Sequence, residues 1–219
     1  MSKTRSDQLF RHRSGNRSYG AADEVKRFYD PRFKATSVMV LPGRHYVSGS
    51  QDEMIVTLLG SCVAACIRDP IAAIGGLNHF LLPESSTGQW GQANAAMRYG
   101  NHAMETLIND IIKRGGERSR LEIKVFGGAH VIDSPSSLSV GQQNATFVET
   151  YLENEGFNIV AKHLGGPLPR RIHYFPVSGK VNMLLLRRGA DNDLFKKERD
   201  YQNTLKSDGD DSGDVELFE

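Results

Sequence analysis

Short apolar runs that alternate with longer amphipathic segments predict an α/β or α+β fold, in which helices cover the outside of a β-sheet. Two observations support this fold class: the predicted strands outnumber the predicted helices, and the helices lie between strands rather than after them. No internal repeat is visible. The chain has 219 residues, of which 39% are hydrophobic, so we expect one domain with a sizeable core.

Strands are predicted from short stretches rich in β-branched and aromatic residues. In chain order these stretches are 37–43, 54–60, 62–69, 73–83, 121–128, 157–165, 171–179 and 180–188. Apolar residues that recur every three or four positions predict two helices, over residues 98–114 and 144–154. Gly115 and Gly116 end the first predicted helix, and Gly156 ends the second.

The two ends of the chain differ in composition from the middle. Residues 1–36 are basic and the segment 189–219 is acidic, so we expect both to be mobile extensions of a domain at 37–188. The formal net charge is +1, which gives no indication of nucleic-acid binding. No run of about 18 apolar residues and no secretory signal is visible, so we expect a cytoplasmic protein that does not insert into membranes.

Both cysteines lie in the stretch 60–83, "GSCVAACIRDPIAAIGGLNHFLLP", together with one histidine. Two predicted strands in it face each other across a turn at the Asp-Pro dipeptide, because the fixed φ of proline suits the second turn position. If the turn spans 69–72, residues whose numbers add up to 141 face each other, and Cys62 lies directly opposite His79. A longer loop through Ala73 shifts the pairing by about two residues and makes the pair diagonal neighbours on one face.

A cysteine beside a histidine can act as a nucleophile. If an imidazolium lowers the thiol pKa from about 8.5 to about 6.5, the thiolate fraction at pH 7 rises about 25-fold. His79 can then serve as ion-pair partner or base for Cys62, and as acid for a leaving amine. The residue types leave a purely structural interpretation open, since buried cysteine and histidine also occur in cores. Cys66 is expected to be a core residue. A zinc site completed by His102 or His130 lacks the usual ligand spacing, so no metal is expected.

Five sequence blocks together resemble a known family. In chain order they are "TLLGSCVAACIRDP", "GGLNHFLLP", "RYGNHAMETLINDIIKRG", "LEIKVFGGA" and "GGPLPRRIHYFPVSGKV". Over residues 39–186 the chain resembles the CheD family of chemoreceptor glutamine deamidases. The resemblance implies an α/β sandwich similar to the deamidase domain of cytotoxic necrotizing factor toxins. It also implies a protein-glutamine glutaminase that converts glutamine side chains of methyl-accepting chemotaxis receptors to glutamate and releases ammonia.

The resemblance also implies roles for three residues. Family members use a cysteine in the Gly-Ser-Cys block and a histidine in the Asn-His-Phe block, which correspond to Cys62 and His79 in this sequence. The third family residue is a threonine, matched here by Thr57. Because residues five apart on a strand point to opposite faces, Thr57 can join the other two only if the chain bulges or turns near Gly60.

Backbone groups near the cysteine are expected to stabilise the oxyanion that forms when a thiolate attacks an amide. Gly60 and Ser61 directly precede Cys62, and glycine lets the backbone approach a substrate closely. Gly127 and Gly128 in the "FGGA" block are expected either to form another wall of the pocket or simply to permit a turn. The mechanism requires no cofactor.

The resemblance implies two kinds of partner, namely the cytoplasmic helices of chemotaxis receptors and a CheC-type phosphatase. Two alternatives to hydrolysis stay open. The chain can be a binding module that docks on receptors or on such a phosphatase, or a transglutaminase-like acyl transferase that passes the same thioester to an amine. A Cys62→Ala variant separates binding from hydrolysis, because it should lose deamidation and keep partner binding if both roles coexist. Incorporation of a primary amine identifies the acyl transferase.

Overall fold

The computed structural model describes residues 26–82, 90–130, 139–186, 200–201 and 203–204. The strands in chain order are β1 (Arg27–Asp30), β2 (Ala35–Met39), β3 (Arg44–Ser48), β4 (Glu53–Leu59), β5 (Val63–Asp69), β6 (Ile74–His79), β7 (Glu122–Gly127), β8 (Ile159–Leu164), β9 (Arg170–Tyr174) and β10 (Val181–Leu185). The long helices are α1 (Trp90–Lys113) and α2 (Val140–Asn154). Residues 200, 201, 203 and 204 are also helical.

The strands form two five-stranded sheets that stack face to face. Sheet A has the strand order β1-β2-β4-β9-β10, and sheet B has the order β3-β6-β5-β7-β8. Both sheets are mixed, because β2 and β4 pair in parallel in sheet A, as do β7 and β8 in sheet B, among otherwise antiparallel neighbours. Helix α1 packs mainly against β6, and α2 packs against β5 and β7. The predicted fold class, a sandwich of mixed sheets with external helices, is therefore confirmed.

Three apolar clusters stabilise the sandwich, two of them large and a small third one around Met54. The inter-sheet core lies between sheets A and B, and its buried members are Val38, Val40, Tyr46, Ile55, Leu59, Cys62, Ala64, Cys66, Leu77, Leu81, Phe126, Val140, Ile172 and Tyr174. The second core lies between sheet B and the helices and includes Phe80, Leu107 and Phe147. Strand β5 contributes alternate residues to both cores, which explains why its sequence is a nearly continuous apolar run. Among the described residues, no helix is both long and apolar enough to cross a membrane.

The predicted pairing of β5 with β6 is present, but its register is not that of the tight turn. Cys66 pairs with Leu77, and the numbers of paired residues add up to 143 rather than 141. The turn occupies residues 70–73. The direct opposition of Cys62 and His79 is therefore wrong. The longer loop through Ala73 gives the observed register and makes the two residues diagonal neighbours.

The longer turn forms because Asp69 organises it. The Asp69 carboxylate accepts hydrogen bonds from the backbone N–H groups of Ile71 and Ala72, at 2.8 and 3.0 Å. Such bonds from the chain two and three residues ahead fix a wider turn than a two-residue hairpin allows. Ala73 closes the turn with a positive φ of 52°.

Several element boundaries also differ from the predictions. Helix α1 begins at Trp90 rather than at residue 98, because its first part lacks the regular spacing of large apolar residues on which the prediction depended. Strands β1 and β3 were not predicted, since both contain exposed polar residues at sheet edges. Strand β1 lies inside the segment 1–36 that the composition predicts to be an extension. The helical residues 200, 201, 203 and 204 lie inside the acidic segment 189–219.

Candidate active site

A threonine and a histidine from different sheets meet in the space between them. Thr57 lies on β4 in sheet A, and His79 is the last residue of β6 in sheet B. Thr57 Oγ1 lies 2.8 Å from His79 Nδ1, and both side chains are buried. Thr57 points towards sheet B because its neighbours at alternate positions, Ile55 and Leu59, belong to the inter-sheet core. The stacking of the two sheets thus creates this contact.

The Thr57 hydrogen bonds determine the tautomer of His79. Thr57 Oγ1 donates its single proton to the Val40 carbonyl oxygen at 2.8 Å. Since that proton is already used, the bond between Thr57 Oγ1 and His79 Nδ1 has the ring N–H as its donor. Nε2 therefore holds the lone pair of the neutral imidazole, and it is the ring atom that can accept a proton.

The environment of His79 keeps the ring neutral. Burial lowers the pKa of His79 to about 3, against the opposing effect of a hydrogen bond to the Val40 carbonyl. A ring that is neutral at pH 7 is not the imidazolium that the predicted ion-pair role requires. Nε2 is buried and has no hydrogen-bond partner among the described residues. A buried acceptor without a partner costs about 1–3 kcal/mol, so such an atom indicates a functional position.

Cys62 lies where the chain passes from one sheet to the other. Strand β4 ends in sheet A at Leu59, and β5 begins in sheet B at Val63. Because the sheets face each other, the crossing over residues 60–62 reverses the face that points inward. Thr57 and Cys62 therefore both point between the sheets in spite of their odd spacing. This is the turn near Gly60 that the prediction for Thr57 required.

The strand register places Cys62 diagonally across from His79. Val63 and Phe80 form a bridge through two backbone hydrogen bonds of 3.0 and 2.9 Å. In that register Cys62 and His79 share the inter-sheet face, and diagonal neighbours have Cβ atoms about 7 Å apart. No hydrogen bond joins the thiol to Nε2. Catalytic hydrogen bonds often shorten only when substrate binds, so this spacing is compatible with proton transfer.

The two cysteines have different surroundings, although both are buried. Cys62 lies at the crossing between the sheets and has no exposed surface. Cys66 lies inside β5, where burial raises the pKa of its thiol well above the usual range. That thiol stays protonated at neutral pH, as expected for a core residue. Within the described ranges, no group of three or more His, Cys, Asp or Glu side chains could hold a metal ion.

The end of β7 holds the chain crossing in place. The Gly128 N–H donates to the Cys62 carbonyl oxygen at 2.7 Å, and the Ala129 N–H donates to the Gly60 carbonyl oxygen at 2.8 Å. Gly127 has a φ of 124°, and a Cβ atom there would lie 2.8 Å from Cα of Val63 and closer still to the Cys62 carbonyl. The two glycines therefore permit a close backbone approach to the cysteine loop.

The sequence prediction missed Asn144, which connects the two halves of the site. Asn144 lies on α2 and is fully buried. Its Nδ2 donates to the Ser61 carbonyl oxygen at 2.9 Å, and its Oδ1 accepts from the Leu82 N–H at 2.8 Å. One side chain thus fixes both the cysteine loop and the segment that follows β6. The only signal in the sequence is an amide residue on the otherwise apolar face of a predicted helix, which suggests a buried hydrogen-bonding role.

Comparisons with known proteins give a consistent family. The model of the family described as CheD chemotactic sensory transduction matches residues 81–184. A protein of Rhodopseudomonas palustris is 54% identical over 90% of this chain and 91% of its own length. Proteins of Janthinobacterium and Saccharophagus degradans are 48% and 47% identical, over 87% and 89% of this chain and 93% and 90% of their own lengths. All three are named "probable chemoreceptor glutamine deamidase CheD".

A search of solved structures gives a much weaker similarity. The crystal structure of a Neisseria meningitidis protein of the DUF152 family matches with a TM-score of 0.33 and 9% identity. The match covers 56% of this chain and 51% of that chain.

Proposed function

This chain belongs to the CheD family, and on that premise we propose that it is a protein-glutamine glutaminase that deamidates glutamine side chains of chemotaxis receptors. The names of the relatives support the substrate class. The hydrogen bond between Thr57 and His79 is the observation that supports the chemistry most strongly. It leaves Nε2 as a proton acceptor on the same face as Cys62. The substrate glutamines lie on the cytoplasmic helices of the receptors, so the reaction takes place in the cytoplasm.

The reaction begins with Cys62 as the nucleophile. His79 Nε2 accepts the thiol proton, and the thiolate forms a bond to the carbonyl carbon of the glutamine side chain. The tetrahedral intermediate collapses when the imidazolium returns the proton to the departing nitrogen, which leaves as ammonia. His79 then activates a water molecule that attacks the thioester, and glutamate and the free thiol are released. Thr57 holds the ring in the orientation and tautomer that both steps require.

The backbone of residues 60–62 supplies stabilisation for the negative oxygen of the intermediate. Backbone N–H groups directed at a developing oxyanion contribute about 3–4 kcal/mol each to transition-state stabilisation. In a trans peptide the N–H points opposite to the C=O of the same unit. Since Asn144 binds the Ser61 carbonyl from the side of α2, the Cys62 N–H is directed away from α2. Asn144 is therefore a positioning residue, and we assign the Cys62 N–H, with Gly60 and Ser61 beside it, to the oxyanion site.

The activity can be tested directly by intact mass measurement. Incubation of a receptor cytoplasmic fragment with this protein is expected to add about one mass unit for each glutamine converted to glutamate. The Cys62→Ala variant should leave the mass unchanged and serves as the matched control. A second incubation with a primary amine tests for acyl transfer, because a transglutaminase-like enzyme would add the mass of the amine instead. No mass change with the unaltered chain would refute the proposed hydrolysis.

One observation favours the binding module as a second candidate. The Cys62 thiol has no exposed surface, and a nucleophile must reach its substrate. A chain that docks on a receptor or on a CheC-type phosphatase does not need an accessible thiol. If the Cys62→Ala variant binds either partner with unchanged affinity and the unaltered chain shows no deamidation, docking is the function. If both binding and deamidation occur in the unaltered chain, the two roles coexist.

A further inference from the structure

The burial of Cys62 raises the question of what covers it. Tyr201, in the C-terminal helical residues, packs against the inter-sheet core that contains Cys62. Its ring lies directly on Gly43, where a Cβ atom would come within 2.7 Å of Tyr201 Cζ. The Tyr201 hydroxyl contacts the hydroxyl of Tyr99 on α1. A side chain far along the sequence therefore bridges β3 and α1 at this place.

The surface beneath Tyr201 adjoins the candidate active site, and we call it the rim, consisting of Gly43, Arg44 and Tyr99. The Gly43 N–H donates to the His79 carbonyl oxygen at 2.7 Å, and Arg44 is the β3 partner of His79. The rim is thus one strand away from the histidine. Any side chain that approaches Cys62 past β3 and α1 must pass this surface.

The pKa values of Tyr99 and Tyr201 respond to the same two neighbouring charges. Burial raises the pKa of both Tyr99 and Tyr201. A negative charge on Cys62 raises both values further, while the positive charge of Arg44 lowers them. Charge effects of this kind act over short distances in a protein. The two phenols, the guanidinium and the thiol therefore occupy one neighbourhood.

We propose that Tyr201 and its helical turn occupy the rim as an internal substitute for the substrate helix, so that the chain is held in an inhibited state. The assignment of the rim to a receptor helix rests on the proposed function. A glutamine projecting from a helix needs a surface next to Cys62 on which side chains of that helix can lie, and the rim already holds the Tyr201 side chain of a helical segment. Tyr201 has to leave before a glutamine side chain can reach the thiol. Binding of the receptor and release of the C-terminal turn are then competing events.

The experiment measures how fast each cysteine reacts with iodoacetamide. The full chain contains only two cysteines, so peptide mapping assigns every modified thiol to Cys62 or Cys66. Tyr201→Ala is expected to increase the alkylation rate of Cys62 by about tenfold or more, because the rate follows the population in which the site is open. Asn203→Ala, an exposed position on the same turn, is the matched control and should leave the rate unchanged. Cys66 should stay unreactive in every variant.

Deamidation of a receptor fragment is measured for the same variants. Tyr201→Ala is expected to raise kcat/KM, and Tyr201→Phe, which keeps the ring on Gly43, should stay close to the unaltered chain. Should Cys66 also become reactive in Tyr201→Ala, the variant has opened generally, and Tyr201→Lys, whose positive charge is repelled by Arg44 of the rim, replaces it.

The outcomes separate this inference from the proposed function. Faster alkylation of Cys62 without deamidation by any variant supports the proposal that Tyr201 covers Cys62 and refutes the proposed glutaminase activity. Unchanged alkylation of Cys62 in both Tyr201→Ala and Tyr201→Lys overturns the proposal that Tyr201 covers Cys62, whatever the deamidation assay shows. Faster alkylation accompanied by slower deamidation also overturns the inhibited state, because Tyr201 would then belong to the working site.

Discussion

Polar groups are buried at both ends of the β5–β6 hairpin, but the two ends differ in whether those groups have hydrogen-bond partners. At the turn end, Asp69 has no exposed surface, and its carboxylate accepts bonds from the backbone of Ile71, Ala72 and Glu117 and from the Arg120 guanidinium. At the other end, His79 is also buried, and Nε2 has no hydrogen-bond partner in the part of the chain that the structure describes. A polar group whose hydrogen bonds are satisfied stabilises a turn, whereas a polar atom without a partner stays available to a substrate.

The largest effect is expected for the nucleophile. Cys62→Ala should lower the rate of glutamine deamidation by about 10⁴-fold or more, because loss of a covalent nucleophile removes the reaction path itself. Cys66→Ala, four residues further along the chain and in the same core, should change the rate by no more than a few-fold. Comparison of kcat/KM for the two variants checks this. Equal losses in both would mean that the measured activity reports core packing rather than chemistry.

The next largest effect should be on stability at the turn end. Asp69→Ala should lower the free energy of unfolding by about 3 kcal/mol, because three backbone N–H groups and the Arg120 guanidinium lose their shared acceptor together. The rate per folded molecule should not change, since the turn is at the far end of the hairpin. Urea unfolding monitored by circular dichroism measures the first quantity. Glu149→Ala, at an exposed ion pair on α2, is the control and should change the free energy of unfolding very little.

A smaller effect on catalysis is expected for the threonine. Thr57→Val keeps the shape but removes the acceptor for His79 Nδ1–H, so the preferred tautomer and ring orientation are lost. We expect kcat to fall about 10–100-fold with KM little changed, since the hydroxyl does not touch the substrate. Thr57→Ser restores the hydroxyl and should recover most of the rate. A variant series in which Ser behaves like Val would show that the methyl group matters and the hydroxyl does not.

The smallest effect is expected in the free energy of unfolding, whose pH dependence should differ between the groups at the two ends of the hairpin. The pKa of His79 is about 3 in the folded chain and 6.5 in the unfolded reference, so the unfolded state binds more protons between these values. The free energy of unfolding should therefore fall as the pH is lowered through this window, by at most about 1.4 kcal/mol per pH unit. Asp69 behaves differently. Its Arg120 partner lowers its pKa, so its contribution is present above the unfolded value of 3.8 and is lost only below it.

Denaturation curves between pH 4.5 and 6.5 test this difference. This pH range lies above the unfolded pKa of Asp69, and it lies between the folded and unfolded pKa values of His79. The His79→Gln variant should show a shallower slope than the unaltered chain, because glutamine does not titrate. Identical slopes would mean that His79 is hydrated and titrates normally in the folded state.

The sequence predicts the sheets better than it predicts the details of the site. Apolar runs locate β4, β5 and β7 to within one residue, because each strand is buried on at least one face; the run that predicts β6 continues to residue 83, whereas the strand ends at His79. The register of β5 against β6 depends on side-chain bonds from Asp69 to the turn, and an Asp-Pro dipeptide does not reveal them. The diagonal placement of Cys62 follows from that register.

Contacts between distant segments were the least predictable. Thr57 and His79 meet only because β4 belongs to one sheet and β6 to the other, and residue spacing does not determine sheet membership. Asn144 is one amide among several in its helix, and only the folded chain shows that it binds the Ser61 carbonyl. Tyr201 lies in an acidic segment whose composition predicts no packing at all. Each of these residues acts over more than twenty positions in sequence, beyond the reach of local patterns.

The position of the Thr57–His79 hydrogen bond between the layers has a consequence for partly unfolded molecules. His79 lies in one sheet and the threonine that orients its ring lies in the other, so a slight sliding of one layer over the other would lower the proposed turnover while leaving each ladder of backbone hydrogen bonds intact. Enzyme assays in mild denaturant should thus lose signal before circular dichroism does. Activity would therefore report whether the two sheets are correctly aligned.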